Sequence, residues 1–95
     1  MAVLEIHTFA LQQEMSAADF RALDERMQEW CYLNRPGIAR RTTAKDDNGS
    51  YVVVTLFDSA DQATQSYLAS SDALVKDWVG FMQVGTSAAA VYSLL

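Results

Sequence analysis

The chain has one cysteine, one proline and one histidine in 95 residues. A lone Cys31 excludes an intrachain disulfide and any cysteine-based zinc site. No apolar run approaches the roughly 20 residues that cross a bilayer as a helix, so no membrane partner is expected. The start of the chain, Met1-Ala2-Val3-Leu4-Glu5, lacks a basic stretch followed by an apolar one, which points to a cytoplasmic protein without a secretory signal. Basic residues are scarce: seven against twelve acidic ones, for a net charge of −5. Arg40, Arg41 and Lys45 form the only dense basic stretch, and Asp46 and Asp47 follow at once. Such a balance repels phosphate backbones and excludes nucleic acid as a partner. Phosphate-cradling glycines, a nucleotide fingerprint and a serine-nucleophile motif are also missing. Asp46-Asp47 lacks the ligand spacing of a calcium loop.

What is present is a globular composition, with 51% hydrophobic and 20% charged residues. The length predicts a single domain over residues 1–95. Residues 3–11 read as a strand with apolar side chains on both faces, the mark of a central position. A helix begins after Ser16, with Asp19 completing a capping-box pattern. Phe20, Leu23, Met27 and Trp30 recur at helical spacing, and Asp24, Glu25, Gln28 and Glu29 fall on the remaining face. Pro36 and Gly37 end the helix.

Residues 38–46 and 51–58 flank Asp47-Asn48-Gly49-Ser50, and Asn-Gly predicts a two-residue hairpin turn. That register sets Ala44 opposite Val53, Thr42 opposite Thr55 and Arg40 opposite Phe57. The basic strand reads as an edge and Tyr51–Phe57 as a central strand. Residues 60–83 are predicted helical in two pieces, the first capped by Ser59-x-x-Gln62 and the second by Ser70-Ser71-Asp72. Leu74, Val75, Trp78, Val79 and Met82 form its apolar stripe. Residues 86–94 read as a last strand rich in alanine.

The order βαββαβ with right-handed crossovers predicts an α+β, ferredoxin-like fold with a four-stranded antiparallel sheet and both helices on one face. The other face would stay apolar and uncovered. Monomers rarely expose more than a few hundred Å² of contiguous apolar surface. Stable interfaces bury about 800 Å² per partner, so a two-fold homodimer packed sheet to sheet is expected. Which strand face meets the helices is left open, because both faces of the central strands are apolar.

The run Arg35-Pro36-Gly37, the hairpin, Tyr51-Val52-Val53-Val54-Thr55-Leu56-Phe57 with Ser59-Ala60, and Tyr67-Leu68-Ala69-Ser70 together resemble the antibiotic-biosynthesis monooxygenase-like domains of the dimeric α+β barrel superfamily. The resemblance spans nearly the whole chain and implies a homodimeric barrel. It also implies a small aromatic or hydrophobic molecule held between sheet and helices, and oxygenation without a cofactor. The chain departs from the family pattern at two positions. Phe57 stands where a tryptophan often ends the third strand, and Tyr67 where a histidine or tryptophan is common. Trp78 stands nearest the haem-ligating histidine of haem-degrading relatives, and an indole cannot donate a lone pair to iron.

On that resemblance His7, with Glu5 two residues away on the same face, is a candidate general base, and Tyr67 a second catalytic candidate. Trp78, Phe57 and Tyr51 are candidate pocket linings, and Arg40 a candidate for holding an anionic group. The competing readings are a histidine hydrogen-bonded within the sheet, aromatic residues such as Trp30 that are plain core, and arginines that are solvated edge protection. Cys31 reads as a small core residue. The alternatives to an oxygenase are a non-catalytic binding or structural dimer and an isomerase on the same fold.

Overall fold

The computed structural model describes residues 1–95. Strand β1 (Val3–Ala10) leads to helix α1 (Ala17–Asn34), then strands β2 (Ile38–Lys45) and β3 (Ser50–Phe57). Two short 3-10 turns (Ala60–Gln62 and Gln65–Ala69) precede helix α2 (Ala73–Gly80) and strand β4 (Ala88–Ser93). The antiparallel sheet has the order β2-β3-β1-β4, so β1 and β3 are central and the architecture is ferredoxin-like, as the sequence implies.

Ser16 caps α1, its hydroxyl accepting from the Asp19 amide at 3.2 Å. The helix ends at Arg35, which is extended (φ −114°, ψ 99°) because Pro36 forbids helical geometry before it. Asp72, the last residue of the expected Ser-Ser-Asp interruption, caps α2 by accepting from the Leu74 amide at 2.9 Å. The first helical piece expected after residue 60 is instead the pair of 3-10 turns, and Ser59 makes no side-chain cap. Thr64 supplies the cap there, accepting from the Ser66 amide.

The hairpin differs from the expected register by one residue. Thr43 lies opposite Val53, Ala44 opposite Val52 and Arg41 opposite Thr55. The Asp46 carboxylate accepts from the amides of both Asn48 and Ser50 at 2.9 Å, and Gly49 adopts φ +84°. The loop therefore has three residues, closed by an Asx turn and a left-handed glycine, and not the two of a type I′ turn. One residue of slip exchanges the two faces of a strand. Arg41 consequently points to the helices and is buried, while Arg40, opposite Leu56, is exposed on the other side.

The register also decides the question that the sequence leaves open. Val3, Glu5, His7 and Phe9 of β1 and Val53, Thr55 and Phe57 of β3 face the helices and are buried. Phe9, Phe20, Met27, Cys31, Val53, Val75, Trp78 and Met82 form the core. The opposite face carries Leu4, Ile6, Val52, Val54 and Leu56, all only half-buried, and no segment of the chain covers them. No helix is long and apolar enough to cross a membrane.

Candidate functional site

The layer between sheet and helices contains more polar groups than its core role requires. Glu5, His7, Asp24, Arg35, Arg41 and Thr55 are all buried there. The extended backbone at Arg35 turns its side chain under α1, where the guanidinium donates to both Glu5 oxygens, at 3.2 and 2.9 Å, and to the Thr64 carbonyl at 2.8 Å. Its charge also lies over the rings of Tyr67 (3.7 Å) and Phe57 (4.8 Å). A second pair lies alongside. Arg41 Nη2 donates to Asp24 Oδ1 at 2.8 Å, and the same oxygen accepts from Trp78 Nε1 at 2.9 Å. Asp24 Oδ2 has only a long 3.5 Å contact with Arg41, which leaves it acceptor capacity.

His7 lies between these pairs, its ring tilted against Phe9 (5.2 Å) and edge-on to Trp78 (6.1 Å). Nε2 is 2.6 Å from the hydroxyl of Ser87, the residue before β4, and Nδ1 is buried without a partner. Burial lowers its pKa below 6.5; Glu5 opposes that shift, while Arg35 and Arg41 add to it. The imidazole is thus neutral at pH 7. A stability consequence follows, with its sign set by the lowered value. The unfolded chain takes up a proton near pH 6.5 that the folded one refuses, so stability is fully present above that pH and falls on acidification through it. The slope contributed by this one proton approaches about 1.4 kcal/mol per pH unit. Urea midpoints measured against pH, with His7→Gln as the comparison, check this; parallel curves for the two proteins would refute it.

Five of the six expected site residues lie in or beside this layer. Trp78 and Phe57 are fully buried, at 0% exposure, and serve as core. Tyr67 is half-buried against Arg35, and burial raises its hydroxyl pKa. Tyr51 stacks on Phe9 at 5.8 Å and meets Phe20 edge-on at 5.1 Å. Arg40 is the exception: the hairpin register puts it on the opposite sheet face, and Arg41 takes the inward place.

Tyr51 borders one open cleft and Tyr67 another, while His7, Phe57 and Trp78 line neither. Trp78 fills the centre of the layer, and two open clefts flank it. The larger, about 560 Å³, lies between α1 and the β2–β3 hairpin and includes Phe20, Asp24, Gln28, Thr43 and Tyr51. The smaller, about 410 Å³, lies where α1 ends and includes Trp30, Arg35 and Tyr67. His7 borders neither. Thr43 Oγ1, in the larger cleft, is buried and unpartnered. The sequence pattern assigns Asp24 to the wet face of α1, the default for an acidic residue in a helix. Its signal was positional: it lies four residues after Phe20 and three before Met27, in the middle of the apolar stripe. No group of three or more His, Cys, Asp or Glu side chains is placed to hold a metal ion.

No protein-family model and no curated protein matches the sequence. Solved structures do match in shape. SnoaB, a cofactor-independent oxygenase from Streptomyces nogalater, superposes with a TM-score of 0.70 at 17% identity, over 99% of this chain and 93% of that one. A candidate antibiotic biosynthesis monooxygenase from Caulobacter crescentus gives 0.74 at 18% identity, over 99% and 90%. A dimeric protein of unknown function from Bacteroides fragilis gives 0.66 at 15% identity, over 98% and 96%, and is described as ferredoxin-like. The chain shares the fold of these proteins. The likeness runs the whole length of the chain, through β4, and at these identities it is a likeness of fold.

Proposed function

We propose that the chain acts as a homodimer that holds a small hydroxylated aromatic molecule in the α1–hairpin cleft and oxygenates it without a cofactor. The observation that carries this reading is the make-up of that cleft. Its volume of about 560 Å³ suits a compact polycyclic or substituted ring, and Phe20 and Tyr51 offer ring faces. Thr43 Oγ1 and Asp24 Oδ2 supply the polar groups that orient it. The similarity to SnoaB and to the Caulobacter protein supports the reaction class. In such chemistry the substrate supplies every electron. An activated CH₂ carbon becomes a carbonyl, one oxygen atom of O₂ enters the product and the other leaves as water. The Asp24 carboxylate takes the hydroxyl hydrogen bond, receives its proton as the ring gives up electrons, and returns it to the product once the second oxygen atom has left as water. Phe20 and Tyr51 fix the ring and keep water off one side.

The sheet face carrying Leu4, Ile6, Val52, Val54 and Leu56 supports the homodimer. An isolated chain would gain about 1.5–3 kcal/mol for each aliphatic side chain fully buried. Leaving five of them half-exposed while burying two ion pairs makes sense where a second copy completes the burial.

Oxygen uptake with a panel of dihydroxynaphthalenes and hydroxyanthrones, with labelled dioxygen traced into the product, tests the activity. Thr43→Val and Tyr51→Leu are expected to raise KM about tenfold while the fold is kept. His7→Gln is expected to retain turnover, because Phe9 and Trp78 wall the imidazole off from the cleft. Loss of turnover in that variant would return the base to His7. One observation favours a second reading, binding without turnover: no neutral imidazole lines the cleft. Saturable binding of these aromatics with no oxygen uptake would select it.

A further inference from the structure

The smaller cleft differs in chemistry from the one assigned above. Arg35 is the only charged side chain on its wall, and that charge is matched within the layer by two hydrogen bonds to Glu5. The cleft is electrically neutral, so neither an anion nor a cation is favoured there. Its remaining polar wall is made of amides and hydroxyls: Asn34, Gln62, Thr64 and Ser66. Several of these keep free capacity. Gln62 Oε1 has no hydrogen-bond partner and is packed over Gly37, where a Cβ would collide with it, so a ligand gains this acceptor by turning the Gln62 side chain. Asn34 uses an Nδ2 hydrogen on the Trp30 carbonyl at 2.9 Å, which leaves Oδ1 free to accept. Trp30 and Tyr67, with ring centroids 6.4 Å apart and planes tilted by 34°, supply aromatic surface beside these groups.

We propose that this cleft binds a neutral polyhydroxylated ring, a pyranose sugar. Each sugar hydroxyl both donates and accepts, which suits a wall of mixed amides and hydroxyls without net charge. The C–H face of the ring packs on aromatic surface. A volume of about 410 Å³ admits one or two such rings. The site shares no residue with the α1–hairpin cleft, so the two can be filled independently.

The test is a titration of the full chain with D-glucose, D-galactose and N-acetyl-D-glucosamine, followed by amide chemical shifts. At least one sugar is expected to give saturable shifts with a millimolar Kd, centred on residues 30–36 and 62–67. Gln62→Ala and Ser66→Ala, both on turns outside the sheet and the helices, are expected to weaken that sugar about tenfold. Their spectra, otherwise unchanged, report that the fold is intact. Trp30→Ala is expected to abolish binding. Absence of shifts with all three sugars, shifts confined to the α1–hairpin cleft, or undiminished binding in both turn variants would each overturn the proposal.

Discussion

Replacing Glu5 by Ala is expected to cost about 3–5 kcal/mol, because it leaves the Arg35 guanidinium buried without its partner. Arg35 is 5% exposed and Glu5 1%, so solvent cannot take over the lost interaction. What remains for the arginine is the Thr64 carbonyl and the rings of Tyr67 and Phe57. A domain of this size has about 5–15 kcal/mol in all, so the variant lies near the edge of folding. The double variant Glu5→Leu with Arg35→Met is expected to recover most of the loss, since an apolar pair needs no desolvation of charge. Urea unfolding of the three proteins checks both statements. A loss below about 1 kcal/mol in Glu5→Ala would show that the pair is solvated in solution.

The second large effect concerns the open sheet face. Val54 lies at its centre, between Ile6 on β1 and Thr42 on β2. Val54→Asp is expected to convert the proposed homodimer to monomer at micromolar concentration. A two-fold interface presents every substitution twice, and two carboxylates brought together in an apolar contact cost several kcal/mol. Sedimentation should show the parent chain as a dimer and the variant at the 10.5 kDa of one chain. Val84→Asp is the control: its side chain is already 95% exposed and outside every strand, so it should leave the assembly unchanged. A parent chain that sediments as a monomer would remove the homodimer from the reading.

Both experiments probe one unusual division of the β-layer. The face turned inward holds Glu5, His7 and Thr55 among its apolar residues, and it receives Arg41 from β2 and Asp24 from α1. The face turned outward is aliphatic along both central strands. Sequence patterning alone would not choose this, since hydrophobicity favours burying the aliphatic side. The two salt bridges and the Trp78–Asp24 hydrogen bond make the inward choice tenable. They also fix the walls of both clefts.

Much of the site follows from chain punctuation. Pro36 sets Arg35 extended, and that single backbone constraint delivers the guanidinium to Glu5 on a strand 30 residues away in sequence. Asp46 and Gly49 set the hairpin loop, and the loop decides that Arg41, not Arg40, meets Asp24. The Asn-Gly pair by itself predicts a two-residue turn; the competing Asx hydrogen bonds of Asp46 override it, and one residue of register moves a charge across the sheet.

The element order, the two central strands, the caps at Ser16 and Asp72 and the existence of an uncovered apolar face are all legible along the chain. Those features depend on local periodicity and on which residues tolerate a turn or a helix end. Folding alone settles which face meets the helices, that Trp78 fills the middle of the layer, and that His7 borders neither cleft. Those outcomes depend on strand register and on pairing between charges distant along the chain, and a difference of one residue in a loop is enough to reverse them.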